Sequence, residues 1–146
     1  MTHKSGAVAA RAAPFAGRGF DARYLCFFDS FNRQRFHEAH DVLEDLWLEE
    51  RRSARGAFFK GLIQLAGAFV LLQKGRLRPA DAVFQRARSS LREFPPRYES
   101  ADLAAVRALI DSWREALART AFAGNPLEAL PPPALAVPGQ ALGGKL

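Results

Sequence analysis

The fold of this chain is decided around residues 31–47, which read FNRQRFHEAHDVLEDLW. Apolar side chains recur here at the spacing of one helix face, which predicts an amphipathic helix from about Gln34 to Arg51. His40 and Glu44 lie one turn apart on the apolar side of that helix. Ionisable groups among apolar neighbours cost free energy unless they are paired, hydrogen-bonded or bound to a metal ion. The stretch therefore predicts a core helix that carries a polar centre.

The side chains of this predicted helix divide into two faces. One face should be buried and contains Phe36, Ala39, His40, Leu43, Glu44 and Trp47. The other should face water and contains Glu38, Asp41, Asp45 and Glu49. The division follows from a rotation of about 100° per residue.

The bulk composition predicts one globular domain. The chain has 146 residues, of which 49% are hydrophobic and 25% are charged, the balance of a soluble protein. Its single cysteine, Cys26, excludes an internal disulfide and fits a reducing cytoplasm. The longest apolar run, residues 61–72, is shorter than the ~20 residues of a membrane span, so no membrane association is expected.

Charge is unevenly distributed along the chain. The formal net charge is +6, with acidic residues concentrated in residues 38–50 and basic residues in residues 51–97. We expect these segments to neutralise each other in the fold or to face solvent. The alternative is an anionic partner, which the positive charge would attract.

Helical periodicity predicts a single-domain, all-α bundle of about five helices. The predicted helices cover about residues 21–31, 34–51, 54–74, 79–94 and 100–120. Asp21 and Ser100 are expected to cap the first and the last of them. Gly61 and Gly67 interrupt the most apolar helix, where another helix must approach closely, within the chain or from a second copy. No stretch alternates clearly enough to predict a strand.

Composition divides the chain into three parts. Residues 1–20 contain no acidic residue and are expected to form a flexible leader, residues 21–122 a helical domain, and residues 123–146 an irregular tail rich in proline and glycine. Leu127 and Leu130 are expected to hold this tail against the body.

Two motifs resemble a known family. Phe31-Asn32 is followed by Phe36, by Glu38-Ala39-His40-Asp41 and by Leu43-Glu44 and Trp47, and the next helix begins Phe59-Lys60-Gly61-Leu62-Ile63-Gln64-Leu65-Ala66. Together they resemble the domain of unknown function family 309, over roughly residues 24–91. The resemblance implies a small helical fold with polar side chains between helices, often labelled a predicted metal-dependent hydrolase. The positions that match are Glu38, His40, Glu44, Trp47, Gly61 and Gln64.

The chain also departs from the family pattern. Asp41 stands where the family usually has glutamate after its histidine. Leu71 stands where the family often has a histidine on the next helix, and Gly75 and Arg76 replace a following Gly-Asn. If that histidine holds a metal in relatives, this chain has lost one ligand.

Two interpretations of the polar centre follow from the residues. His40 and Glu44 can reach one divalent metal ion from a single helix, and Asp41 and His37 repeat that spacing on its flank. The preferred interpretation is a buried network without a metal ion, in which Gln64 bridges from the next helix and Trp47 adds its indole N–H.

Three functions remain open from the sequence. The first is a non-catalytic helical domain that acts through a partner or by self-association as a homo-oligomer. The second is a metal-dependent hydrolase that uses His40 and Glu44, without any certain cofactor. The third, ranked lowest, is nucleic-acid binding through an arginine-rich helix and its flanks, because aromatic stacking residues are missing there. Its candidate bases are Arg76, Arg78, Arg86, Arg88, Arg92 and Arg97.

Overall fold

The computed structural model describes the backbone of residues 3–139 and the side chains of residues 6–139. Within that range the chain forms six α-helices, which confirms the all-α fold class. They are α1 (His3–Ala12), α2 (Ala22–Asn32), α3 (Phe36–Glu50), α4 (Gly56–Gln73), α5 (Leu77–Leu91) and α6 (Leu103–Arg119). Short 3-10 helices cover Ala13–Phe15 and Pro126–Glu128, and the strands β1 (Arg97–Tyr98) and β2 (Ala101–Asp102) form one antiparallel pair.

Helix α4 is the centre of the domain and packs against α3 and α5. In its C-terminal half, Phe69 contacts four aromatic rings at centroid distances of 4.9–5.5 Å. These rings come from α2, α3, α5 and α6 and belong to Phe31, Phe36, Phe84 and Trp113. Aromatic rings bury more apolar area than most side chains, and edge-to-face pairs add to that gain. Aromatic residues, mostly phenylalanine, thus form the core that joins five helices.

Helix α4 has the length and the hydropathy of a membrane-spanning segment. It has 18 residues, more than the apolar run in the sequence indicated, and 61% of it is buried inside the fold. A core helix of a soluble domain has the same properties, because its surroundings are apolar on most sides. The structure is therefore that of a soluble helical domain with a central apolar helix.

The N-termini of α2 and α6 are each capped by an aspartate side chain. Asp21 caps α2, as predicted, and its side chain accepts a hydrogen bond from the backbone N–H of Arg23. Helix α6 is capped by Asp102, so the prediction of Ser100 as its cap is wrong. Ser100 and Glu99 have φ values of 60° and 50° and form the turn between β1 and β2. Strands of two residues are too short to show an alternating pattern in the sequence.

The segment that was predicted to be a flexible leader, residues 1–20, contains a helix. Residues 3–12 form α1, which packs against α2 and α3. Val8 and Ala12 lie one turn apart on α1, and both are buried. Alanine favours helix, and these two side chains provide the apolar contact that a short helix needs. Met1 and Thr2 lie outside the described residues.

Residues 123–139 pass over the body of the domain without regular structure beyond one 3-10 helix. Leu127 and Leu130 are partly buried against the core, and Leu135 is only 7% exposed. The expected tail continues through residues 140–146, which lie outside the described residues. The described part of the tail therefore contributes side chains to the core.

Candidate metal site on helix α3

His40, Asp41 and Glu44 bring three potential metal ligands together on α3. Each offers one ligand atom, and these atoms all lie within 4.8 Å of one another. Nδ1 of His40 is 3.3 Å from Oδ1 of Asp41. We call these three residues the α3 cluster. The i, i+4 spacing of His40 and Glu44 and the intervening Asp41 place all three on one side of the helix.

The α3 cluster lies at the edge of the core rather than inside it. The His40 side chain is 34% exposed and that of Asp41 is 17% exposed. Asp41 was expected to face water, whereas Val42 and Leu46, which were not assigned to the buried face, are fully buried. The buried face of α3 is thus rotated from the predicted one, because α2 packs on α3 as well as α4. His40 and Glu44 lie on its flank.

His37 is the outermost of the candidate ligands. Its Nδ1 lies 3.4 Å from Oδ2 of Asp41, and its side chain is 72% exposed. It can contact Asp41, but it is close to solvent. An exposed side chain loses more conformational freedom when it is held by an ion than a half-buried one does. We therefore expect His37 to be a weaker metal ligand than His40, which makes it a suitable control position.

The His40 imidazole lies over the backbone of α4 at Gly67. A Cβ at Gly67 would be 3.7 Å from Cδ2 of His40 and 4.0 Å from Cγ1 of Val83 on α5. Side chains of α3 and α5 therefore approach each other across α4 at this point. Gly61, two turns earlier, faces α5 instead, since a Cβ there would be 2.5 Å from Leu91. At both glycines, the close approach of another helix therefore occurs within one chain.

Gln64 and Trp47 do not complete the network that the sequence predicted. Oε1 of Gln64 accepts a hydrogen bond of 2.7 Å from the hydroxyl of Ser90 on α5, rather than bridging toward Glu44 on α3. Trp47 is partly buried against the core, and its indole N–H has no hydrogen-bond partner among residues 6–139. Gln64 therefore joins α4 to α5 rather than the α3 cluster.

Glu38 and Leu71, two further positions of the family pattern, contribute no ligand atom to the α3 cluster. Glu38 lies in the first turn of α3, where a negative charge interacts favourably with the helix dipole. Leu71, at the place of the histidine often found in relatives, is partly buried and packs against the core. Among residues 6–139, the potential ligands of the α3 cluster therefore all come from α3.

An acidic cluster that the sequence analysis missed surrounds Arg23. Its guanidinium donates hydrogen bonds of 2.8–3.0 Å to Asp21, Asp45 and Glu49. The hydrogen bonds from Arg23 lower the pKa of Asp21 and of Glu49 below their usual values. Asp45 and Glu49 were expected to face water. Their i, i+4 spacing on an acidic helix was the available signal for a partly buried cation from another helix.

The arginine-rich segment pairs mainly with α6. Arg88 forms a salt bridge with Asp111, and Asp81 of α5 forms one with Arg114. The guanidinium of Arg78 lies 4.4 Å from the ring centre of Phe122. Between the acidic and the basic segment, Glu50 forms a salt bridge with Arg55, as expected, whereas Asp45 and Glu49 pair with Arg23 of α2. Arg76, Arg86 and Arg92 are exposed on the surface, as a solvated face requires.

The donor set of the α3 cluster fits a divalent metal ion. An ion about 2.1 Å from each ligand holds the ligand atoms about 3–4 Å apart, so the observed spacing requires only small side-chain rotations. One imidazole with two carboxylates suits ions such as Mn²⁺, Fe²⁺ or Zn²⁺. Three protein ligands leave coordination positions open on the solvent side.

Comparison with known protein families gives one match. The family model described as Domain of unknown function (DUF309) matches residues 24–83, which extend from α2 into α5 and include the whole α3 cluster. No curated protein and no solved structure matches the chain.

Proposed function

We propose, on the premise that residues 24–83 belong to the DUF309 family, that this domain binds a divalent metal ion at the α3 cluster and acts as a metal-dependent hydrolase. The observation that carries the proposal is the placement of three ligand atoms within 4.8 Å of one another. Half-burial of the cluster supports it further, because a site at the edge of the core is open to water and to substrate.

Each residue of the cluster has a distinct role in this proposal. His40 supplies a nitrogen ligand, and its ring lies against α4 at Gly67. Asp41 contacts Nδ1 of His40 and also His37, so its carboxylate orients the imidazole as well as adding negative charge. Glu44 supplies the third ligand, one turn beyond His40. When bound, the ion would polarise a substrate carbonyl or phosphoryl oxygen.

The polar pair of Gln64 and Ser90 extends the proposed substrate region. Gln64 precedes Gly67 by one turn on α4, so it lies along the same outward side of that helix. Both side chains are partly buried, and their hydrogen bond leaves the amide group of Gln64 as a further donor. A substrate bound beside His40 would have the ligands of α3 on one side and, toward α4 and α5, the polar groups of Gln64 and Ser90.

Metal content of the purified, untagged protein tests metal binding. Elemental mass spectrometry should find close to one equivalent of manganese, iron or zinc in the wild type, or after incubation with these ions. His40→Ala should lose it, whereas His37→Ala, the matched change on the exposed flank, should retain most of it. No metal in the wild type after incubation would rule out the site and leave His40 and Glu44 as architecture.

Hydrolysis needs a second experiment, because a bound metal ion does not establish a reaction. Ester and phosphoester substrates should be tested with the metal-loaded protein and with His40→Gln, whose circular dichroism must match the wild type. Loss of activity in a folded His40→Gln protein supports catalysis. Unchanged activity in that variant, or no activity in a metal-loaded wild type, favours the non-catalytic domain that acts through a partner. We further propose a cytoplasmic location, since the single cysteine is buried and unpaired.

A further inference from the structure

The C-terminal segment, residues 123–139, is attached to the body by two asparagine side chains. Nδ2 of Asn32 donates to the carbonyl of Leu135 at 2.8 Å, and Oδ1 of Asn32 accepts from the N–H of Leu135 at 2.7 Å. Nδ2 of Asn125 donates to the carbonyl of Leu72 at 2.7 Å. A side-chain amide that pairs with both polar groups of one residue holds an extended backbone in the manner of a strand neighbour.

Apolar contacts complete this attachment. Leu135 is 7% exposed and belongs to the core cluster, while Val137 packs on the same cluster. Asn32 and Leu72 lie within the family-matched residues 24–83, whereas the whole segment lies outside them. The docking surface thus includes residues of the family-matched region, and the segment follows that region in the chain.

The connection between α6 and this segment is strained. Ala121 and Phe122 follow α6 with φ values of 51° and 65°. Their N–H groups donate to the carbonyls of Ala118 and Leu117, each at 2.9 Å, which closes the end of the helix. Glycine normally occupies the left-handed position of this turn, because other residues meet a steric cost there. Two consecutive left-handed residues without glycine make the closed turn unfavourable.

We propose that residues 123–139 exchange between two copies of this chain and form a domain-swapped dimer, in which Asn32 of one copy binds Leu135 of the other. The docked contacts are identical in the closed monomer and in the exchanged dimer. The difference lies in the connection after α6, where opening releases Ala121 and Phe122 from their left-handed conformation. A short strained hinge favours exchange for this reason. The exchange does not depend on the proposed metal site.

The first test changes the hinge while leaving the docked contacts intact. Size-exclusion chromatography with light scattering over a wide concentration range should show a concentration-dependent dimer for the wild type. Ala121→Gly relieves the closed turn and should weaken the dimer by at least about 25-fold, since one left-handed residue corresponds to roughly fivefold to thirtyfold in an equilibrium and two turns open. Ala121→Pro cannot adopt a positive φ and should favour the dimer.

The second test asks whether the segment itself crosses between copies. Asn32→Ala loses the clamp and Leu135→Asp loses the docked side chain, so each variant alone should dimerise weakly. A mixture of the two should dimerise more strongly, because the intact Leu135 of one copy meets the intact Asn32 of the other. Circular dichroism establishes that each variant is folded. If either variant is unfolded, the comparison of Ala121→Gly with Ala121→Pro tests the proposal instead.

Three results would overturn the proposal. One is a wild type and an Ala121→Pro variant that both remain monomeric at the highest concentration. Another is a dimer whose stability is the same in Ala121→Gly and Ala121→Pro, which would place the interface elsewhere. The third is a mixture of folded Asn32→Ala and Leu135→Asp chains that gains nothing over the separate variants.

Discussion

The imidazole of His40 on α3 lies against Gly67 on α4, with its Cδ2 atom 3.7 Å from the position that a Cβ of Gly67 would take. This distance is an ordinary van der Waals contact. Gly67 therefore admits the ring without being required by it, whereas Gly61 is required by the approach of Leu91. Two glycines of one helix thus have different physical roles, which a matched pair of substitutions separates.

Gly67→Ala should stabilise the domain, while Gly61→Ala should destabilise it. Alanine favours helix over glycine by about 0.5–1 kcal/mol, and the new methyl group at Gly67 meets no clash. At Gly61 the same group would be 2.5 Å from the fully buried Leu91 side chain. Overpacking of this kind costs about 1–3 kcal/mol. Urea unfolding of both variants measures the difference, and equal shifts in the two would contradict this account.

Removing the cation at the centre of the acidic cluster should destabilise the fold in a pH-dependent way. Arg23→Gln should lower the free energy of unfolding by about 1–3 kcal/mol at neutral pH, the usual range for hydrogen bonds to charged groups. Arg23 lowers the pKa of Asp21 and of Glu49 in the folded state. Such groups stabilise the fold above their unfolded pKa, near 4, and lose that contribution as pH falls through the folded values.

The difference between wild type and Arg23→Gln should therefore be largest near neutral pH and should shrink below about pH 4. Urea unfolding at several pH values measures it. Arg33→Gln is the matched control, because the pair of Arg33 with Asp29 is exposed and contributes about 0–1 kcal/mol. A difference that grows on acidification would show that the carboxylates are not held by Arg23.

Asn32→Asp is nearly isosteric, yet it should destabilise the fold, because Asn32 makes two hydrogen bonds with Leu135. Aspartate retains the acceptor for the Leu135 N–H but loses the donor, and it places a charge against the Leu135 carbonyl. We expect a loss of about 1–3 kcal/mol in unfolding free energy, together with faster amide exchange at Leu135. Gln73→Ala is the control, since its bond to the carbonyl of Gln34 is exposed. Equal effects of both changes would rule out the clamp.

Cys26 should be unreactive in the folded protein. Its side chain is 1% exposed, and burial raises the pKa of the thiol, so both access and the thiolate fraction are reduced. A thiol reagent at pH 8 should modify one equivalent rapidly in urea and very slowly without it. Rapid and complete modification of protein with unchanged circular dichroism would show that the α2 region opens under native conditions.

Much of the fold was predictable because it depends on local patterns. The helices of residues 22–91 follow from apolar periodicity, and Asp21 was recognisable as a cap because aspartate directly precedes the first periodic segment. The cap of α6 was not, because the turn at Glu99 and Ser100 belongs to a hairpin whose strands are too short to leave a pattern. Helix α1 was also missed, since a few alanines and one valine carry little periodic signal until they pack.

The candidate site was predictable in its members and not in its surroundings. His40, Asp41 and Glu44 were identified from their spacing on one helix, which fixes how closely their ligand atoms can approach. Their half-burial depends on how α2, α3 and α4 pack, and so does the choice of Ser90 as the partner of Gln64. Spacing within one helix cannot reveal which residue of another helix lies opposite.

The sequence by itself determined the all-helical class, the central position of α4 and the spacing of the α3 cluster, because each depends on residues close together in the chain. Only the tertiary structure decided that Arg23 binds three carboxylates, that His40 lies against Gly67 and that Asn32 holds Leu135, 103 residues further along. These contacts join segments that are distant in sequence. Their partners are selected by the packing of the whole domain, through the exclusion of water and the need to pair every buried polar group.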